Sequence, residues 1–325
     1  MTKFVYSFSL IFFGVALGYA IQVFSNRGVL HLPVPLDTVR KLLQKIALLF
    51  FLPVTVLGAI WIVNIKAVSI AALPFIGFSA ITLGGVLAWG AARAIKLEPR
   101  KTGALIPCGA FTNIGSIGAL VCFIFLGEKG FALVPIYKIF EELSYYAIGF
   151  PVAKFYSRVD RKTERTIDRL KDLAKDPFIV VALASISIGA LLNVSGIPRP
   201  GYFKTINSVF IPVGTSLLLV SIGLAMKFRS VRNYFRECLI ISMIKFFIVP
   251  VCITTLAYLI GYGTIDNGLP LKVVMILSTM PVAFNALIPP SIFDLDLDLA
   301  NSCWFFTTAL LIVVLPLLLL MINSF

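Results

Sequence analysis

The sequence predicts an all-α membrane protein with ten transmembrane helices in two inverted repeats of five. Three observations carry this. The 325 residues are 59% hydrophobic and only 13% charged, with a mean hydropathy of +0.99, and a soluble domain of this length could not cover so much apolar surface. Apolar runs of about twenty residues recur along the whole chain, enough to cross a hydrocarbon core about 30 Å thick. The one long polar stretch, "YSRVDRKTERTIDRLKDLAKDP" (156–177), divides these runs into two sets of five.

The first span is placed at 4–24. Its apolar core is too long for a secretory signal, and no small-x-small cleavage pattern follows it. The remaining spans are expected at 39–64, 68–92, 102–126, 131–156, 178–195, 205–227, 236–260, 271–292 and 300–322. Pro53, Pro74, Pro135, Pro151, Pro212, Pro250 and Pro281 fall inside them, which a membrane helix tolerates where neighbours re-satisfy the freed carbonyls.

The net charge of +13 is spread between spans and forms no single patch, which argues against a nucleic-acid partner. Loops after spans 1, 3, 5 and 7 hold twenty Lys and Arg, whereas the opposite side holds six. The positive-inside rule therefore expects a multi-pass protein of the cytoplasmic membrane with both termini outside the cytoplasm. The segment 157–177 reads as a charged cytoplasmic linker, with Asp160, Glu164, Asp168, Asp172 and Asp176 at four-residue spacing on a solvated helix. Cys108, Cys122, Cys238, Cys252 and Cys303 lie in or beside apolar runs without CxxC spacing, so they read as small apolar side chains.

Five spans per half put the second half into the membrane from the opposite face, an arrangement used by many secondary transporters. Residues 1–156 and 178–325 are the expected repeats. Two short matches support them: Pro53 in "LPVTVLGAI" with Pro212 in "IPVGTSLLL", and "CGAFTN" in span 4 with "MPVAFN" in span 9. The second match aligns Gly109 with Pro281 and Asn113 with Asn285. Asn113 lies about 17 Å into its span and Asn285 about 21 Å, near the midplane. Beside each stand helix breakers, Gly115 and Gly118 in one case and Pro281 in the other. Asparagine and small residues also serve as glue between helices. The matched pair favours a binding site built from Thr112, Asn113, Gly115, Pro281 and Asn285, since interrupted helices in corresponding places point to a transport site.

These motifs give the chain a family resemblance. "FFLPVTVLGAI", "TNIGSIG", "IKFFIVPV" and "TMPVAFNALI…LDLDLANSCWFFTTALLIVVLPLL" resemble the auxin efflux carrier, or PIN-like, transporters over nearly the whole chain. The resemblance implies that helices 4 and 9 are broken and cross at the substrate site. It implies a scaffold of helices 1, 2, 6 and 7, a transport domain of helices 3–5 and 8–10 moving like an elevator, and a homodimer through the scaffold. It also implies export of small organic anions such as mono- or dicarboxylates. Gly109 and Leu120 stand where proline is common in that family, so the first bend is assigned to Gly115 and Gly118. The sodium–bile acid symporters are similar in architecture, but their crossover motifs are absent.

Span 5 carries "PIYKIFEELSYY" with Lys138, Glu141 and Glu142 near mid-depth, where ionisable groups face a cavity or one another. Lys138 can pair with either acid on one helical face. The carboxylate left over is a candidate proton carrier, or the group is a self-neutralised lock between helices. Lys245 in span 8 would attract an anion or snorkel to the inner headgroups. His31, the one histidine, falls in a loop. The run "FDLDLDL" lacks the glycine and distal glutamate of a calcium loop, and Asp298 is expected to cap span 10.

The function expected is a secondary transporter for a small organic anion in a lipid bilayer. No cofactor is expected beyond a coupling proton or sodium ion. An intramembrane enzyme is disfavoured, since no HExxH motif and no paired aspartates on facing spans are visible. A ligand sensor or channel on the same scaffold is the rival reading, separable by conductance or by binding without flux.

Overall fold

The computed structural model describes residues 2–62, 71–157, 177–225 and 231–324, without the side chains of residues 2–8, Glu142, Tyr146 and Ile179. The charged linker falls almost wholly outside the described residues. Among them every regular element is helical, and the only strand-like pairing is one isolated bridge.

In chain order, α1 is Thr2–Asn26, α2 is Leu36–Ile60 and α3 is Leu73–Ala94. α4 is Pro99–Ala110, and after a break α5 covers Ala119–Tyr137 behind a π-helical turn at Ile114–Gly118. α6 spans 141–155, α7 is Pro177–Val194 and α8 is Tyr202–Gly223. α9 is Val231–Leu259, α10 is Leu269–Ser278, α11 is Ile288–Ile292 and α12 is Leu297–Ser324.

Seven helical stretches among the described residues are long and apolar enough to cross a bilayer, beginning at Ser9, Leu36, Leu73, Ile114, Tyr202, Val231 and Leu297. The apolar part of α7, Val180–Val194, is shorter, and α10 has only ten residues. Phe155, Leu191, Leu259 and Leu320 are among many large apolar side chains left exposed, more than a water-facing surface carries.

Two boundaries differ from the sequence reading. The expected spans 4 and 5 meet at Gly127, whose φ of 73° and ψ of −164° break the helix, a conformation only glycine adopts without strain. The expected span 5 is itself interrupted at 138–140, between α5 and α6.

The prolines leave a regular mark. A π-helical turn ends two residues before Pro53, Pro151 and Pro250, at Ala47–Phe51, Tyr145–Gly149 and Ile244–Ile248. The residue before each proline donates to the carbonyl five positions back, as Leu52 does to Ala47 and Val249 to Ile244. Proline lacks an N–H and its ring crowds the preceding turn, so the helix widens there instead of breaking. Pro212, the sequence counterpart of Pro53, sits in unbroken α-helix.

By contacts the chain forms two compact units, each drawing on both halves of the sequence. Unit 1 holds α1, α2, residues 115–135, α7 and α8. Unit 2 holds α3, α4, α6 and α9–α12. Residues 115–135 thus group with α1, α2, α7 and α8, although the sequence reading assigned helices 4 and 5 whole to the other set. Inside unit 2, α3 and α4 approach so closely that a Cβ on Gly84 would lie 2.1 Å from the carbonyl oxygen of Gly109. Gly109, aligned by sequence with the helix-breaking Pro281, therefore serves close packing and lies within α4.

Candidate functional site at two broken helices

α4 ends when Phe111 turns extended, with φ −89° and ψ 132°. α10 ends at Ser278, and the chain is extended again at Ala283, with φ −70° and ψ 146°. In the second break, Pro281 withholds an N–H and pushes Met280 from helical geometry. The first break, at 111–113, precedes both Gly115 and Gly118, which lie in the following π-helical turn. Peptide groups released at mid-membrane must find partners within the protein.

They find one another. The Asn113 N–H donates to Pro281 O at 2.8 Å, and the Ala283 N–H donates to Phe111 O at 3.0 Å. Between these bonds Thr112 and Val282 form an antiparallel bridge. Asn113 is therefore bonded through its main chain to Pro281. Thr112, Asn113 and Pro281 are buried, whereas Asn285 is exposed.

Side chains from other helices of unit 2 hold each broken segment. Lys245 lies in the π-helical turn of α9 and is 1% exposed. Its Nζ donates to Thr112 Oγ1 at 2.7 Å and to Ala110 O, at the end of α4, at 3.3 Å. Snorkelling is thus overturned, because the ammonium is spent on two buried acceptors. A cation at a helix C-terminus also meets the negative end of its dipole. On the second segment, the Val282 N–H donates to Thr307 Oγ1 of α12 at 3.2 Å. Tyr145 of α6 touches both: its OH donates to Asn285 O at 3.0 Å, and its ring meets Phe111 edge-on with centroids 5.0 Å apart.

Of the other predicted residues, Lys138 pairs with the buried Glu141 at 3.4 Å, and the side chain of Glu142 lies outside the described residues. Gly115 falls in unit 1, and Thr112, Asn113, Pro281 and Asn285 fall in unit 2. The expected cap of the last helix is corrected. α12 starts at Leu297, so Asp296 precedes it and accepts the Leu299 N–H at 2.9 Å. All five cysteines are free, and no described cluster of three His, Cys, Asp or Glu side chains is placed to hold a metal.

Sequence reasoning missed Tyr145 and Thr307 and undervalued Lys245. Lys245 carried a signal, a charge five residues before a proline in an apolar run. Thr307 carried none, because a hydroxyl in an apolar helix most often bonds its own backbone.

No family model matches the chain. It is 24% identical over 304 residues to an uncharacterized transporter of Methanothermobacter thermautotrophicus, covering 93% of each chain. The chain is similar to archaeal transporters. A second, the uncharacterized transporter MJ1031 of Methanocaldococcus jannaschii, is 25% identical over 309 residues, covering 93% of this chain and 94% of its own. Likeness over nearly full length, together with seven membrane-length helices, marks an integral membrane protein of a transporter kind.

Proposed function

We propose that the protein is a secondary transporter of the auxin efflux carrier type that moves a small organic anion, such as a mono- or dicarboxylate, across the cytoplasmic membrane. The observation that carries this reading is a buried lysine bonded where two broken helices meet. A buried cation among main-chain groups freed from helices suits a carboxylate ligand. Asn113, Thr112, Asn285 and main-chain groups beside Pro281 would supply the polar contacts, and Gly115 the room for the turn behind them.

A ten-span inverted repeat belongs to the same reading. Gly127 divides the fourth span from the fifth, and the spacing that carries Asn113 onto Asn285 also carries Phe111 onto Ala283, which are hydrogen-bonded. α1, α2, α7 and α8 would be the scaffold and dimer surface, with unit 2 as the core of an elevator-like transport domain. The Lys and Arg distribution supports termini outside the cytoplasm.

Protonation of Glu141 or Glu142 beside Lys138 would couple transport to a proton. Sodium coupling of the bile acid type is the second reading. Lys245 weighs against it, because its ammonium already takes the carbonyl and hydroxyl oxygens that a sodium ion would need there. Uptake of labelled organic acids into proteoliposomes tests the site: N113A and N285A should abolish it while expression and folding persist. Unchanged uptake would remove these residues from the site, and uptake only with sodium outside would favour the symporter reading.

A further inference from the structure

Unit 1 contains a buried polar cluster remote in sequence from the broken helices. After the turn at Gly127, Glu128 opens the second part of α5. Its carboxylate is held in fork fashion by Arg199, from the loop between α7 and α8: one guanidinium nitrogen bonds Oε1, and the other bonds Oε2 at 3.1 Å. The two side chains are only 10% and 14% exposed. Arg199 also donates to Gly58 O near the end of α2 at 2.8 Å. Asn207 of α8, fully buried, donates from Nδ2 to Glu128 Oε1 and, at 3.2 Å, to Thr55 O of α2. Its Oδ1 is buried with no hydrogen-bond donor among the described residues.

A buried ion pair is an inefficient way to gain stability, because desolvation offsets most of the attraction and apolar residues of similar volume often do as well. Such a pair does specify one geometry, and it is lost cooperatively once either partner leaves. An acceptor left without a donor beside it fits a contact assembled reversibly better than one optimised for bonding. Two side chains, Arg199 from the α7–α8 loop and Asn207 from α8, converge on a single carboxylate at the 127–128 corner, and each also donates to a carbonyl of α2.

We propose that Glu128, Arg199 and Asn207 form a latch. It holds the corner between the two helical pieces of 114–137 against α2 and α8 in one end state of the transport cycle, and releases it in the other. The assignment of this corner as a moving part rests on the elevator reading above; the latch itself is read without substrate.

The test is maleimide labelling of the purified full chain, followed peptide by peptide. Cys122 lies in the latched segment and is fully buried, while Cys108 and Cys303 are equally buried in unit 2. E128Q and R199M should each raise the Cys122 labelling rate on the order of tenfold, with Cys108 and Cys303 unchanged, as local opening of one segment requires. The swap E128R/R199E should return most of the protection, with Asn207 Oδ1 now accepting from the new arginine.

Three results would overturn the latch. Cys122 could label at the wild-type rate in both single variants. All three thiols could speed up together, making the pair a simple fold stabiliser. The swap could label as fast as either single variant. If uptake is lost in N113A yet Cys122 stays protected in E128Q, the latch fails and the transport reading stands. If Cys122 opens as stated while no organic acid is carried, the reverse holds.

Discussion

The two broken segments look alike in sequence and are held in unlike ways. In register, "CGAFTN" and "MPVAFN" share only their final asparagine, and each contributes extended backbone to the same bridge. The first carries a buried asparagine and is held by an ammonium, Lys245 on Thr112 and Ala110. The second carries an exposed asparagine and is held by neutral hydroxyls, Thr307 on Val282 and Tyr145 on Asn285. The difference teaches that a repeated motif sets where the chain leaves the helix, while its surroundings decide what each break can do. On the proposed reading, the first segment would concentrate charge for a ligand, and the second would supply shape and an accessible amide.

This contrast can be broken in graded steps. The largest effect is expected from K245M, which leaves the carbonyl of Ala110 and any bound anion without their cation. Organic acid binding should weaken by roughly 2–5 kcal/mol, as when one partner of a buried charged pair is truncated, read by titration of the purified protein. K245R should retain part of it, which separates loss of charge from loss of fold.

T307V comes next. It leaves the buried Val282 N–H without an acceptor and should lower unfolding stability by about 1–3 kcal/mol, with binding changed less than in K245M. If T307V removed binding as completely as K245M, the division of labour between the segments would be wrong. Y145F loses one hydrogen bond but keeps its ring against Phe111, so about 0.5–1.5 kcal/mol of stability is expected to go. The smallest effect belongs to R100A. Its partner Asp294 is 74% exposed and the pair spans 3.1 Å, so solvent screening limits its worth to under about 1 kcal/mol. Denaturant titration in matched detergent reads all three.

Much of the framework was legible because the bilayer writes it into composition. Apolar runs located the membrane-length helices, and the polar and helix-breaking residues around Asn113 and Pro281 marked the neighbourhoods of both breaks. What stayed hidden depends on pairs distant in sequence. Lys245 reaches Thr112, 133 positions away, and Tyr145 reaches Asn285 across 140. A lysine that snorkels and one that bonds a broken helix are identical in a one-dimensional reading, because only the packed neighbours decide where the stem points. The interruption at 138–140 was missed for a related reason, since "YKIF" contains neither glycine nor proline. Glycine was misread in one case: the first bend was assigned to Gly115 and Gly118, yet the chain leaves the helix before both. Gly109 is required by close packing, since a Cβ there would lie 2.4 Å from the Ala88 Cβ.

The central claim is that Lys245 and Asn113, at the meeting of the two breaks, form an organic anion site. Its most direct measurement is a thermal-shift screen of mono- and dicarboxylates on the purified wild type, N113A and K245M, at two pH values, with and without sodium. An acid present at a hundred times its Kd should stabilise the wild type by about 2.7 kcal/mol. The account predicts such a shift in the wild type and one of less than about 1 kcal/mol in either variant. An equal shift in all three proteins would place the anion elsewhere and contradict it.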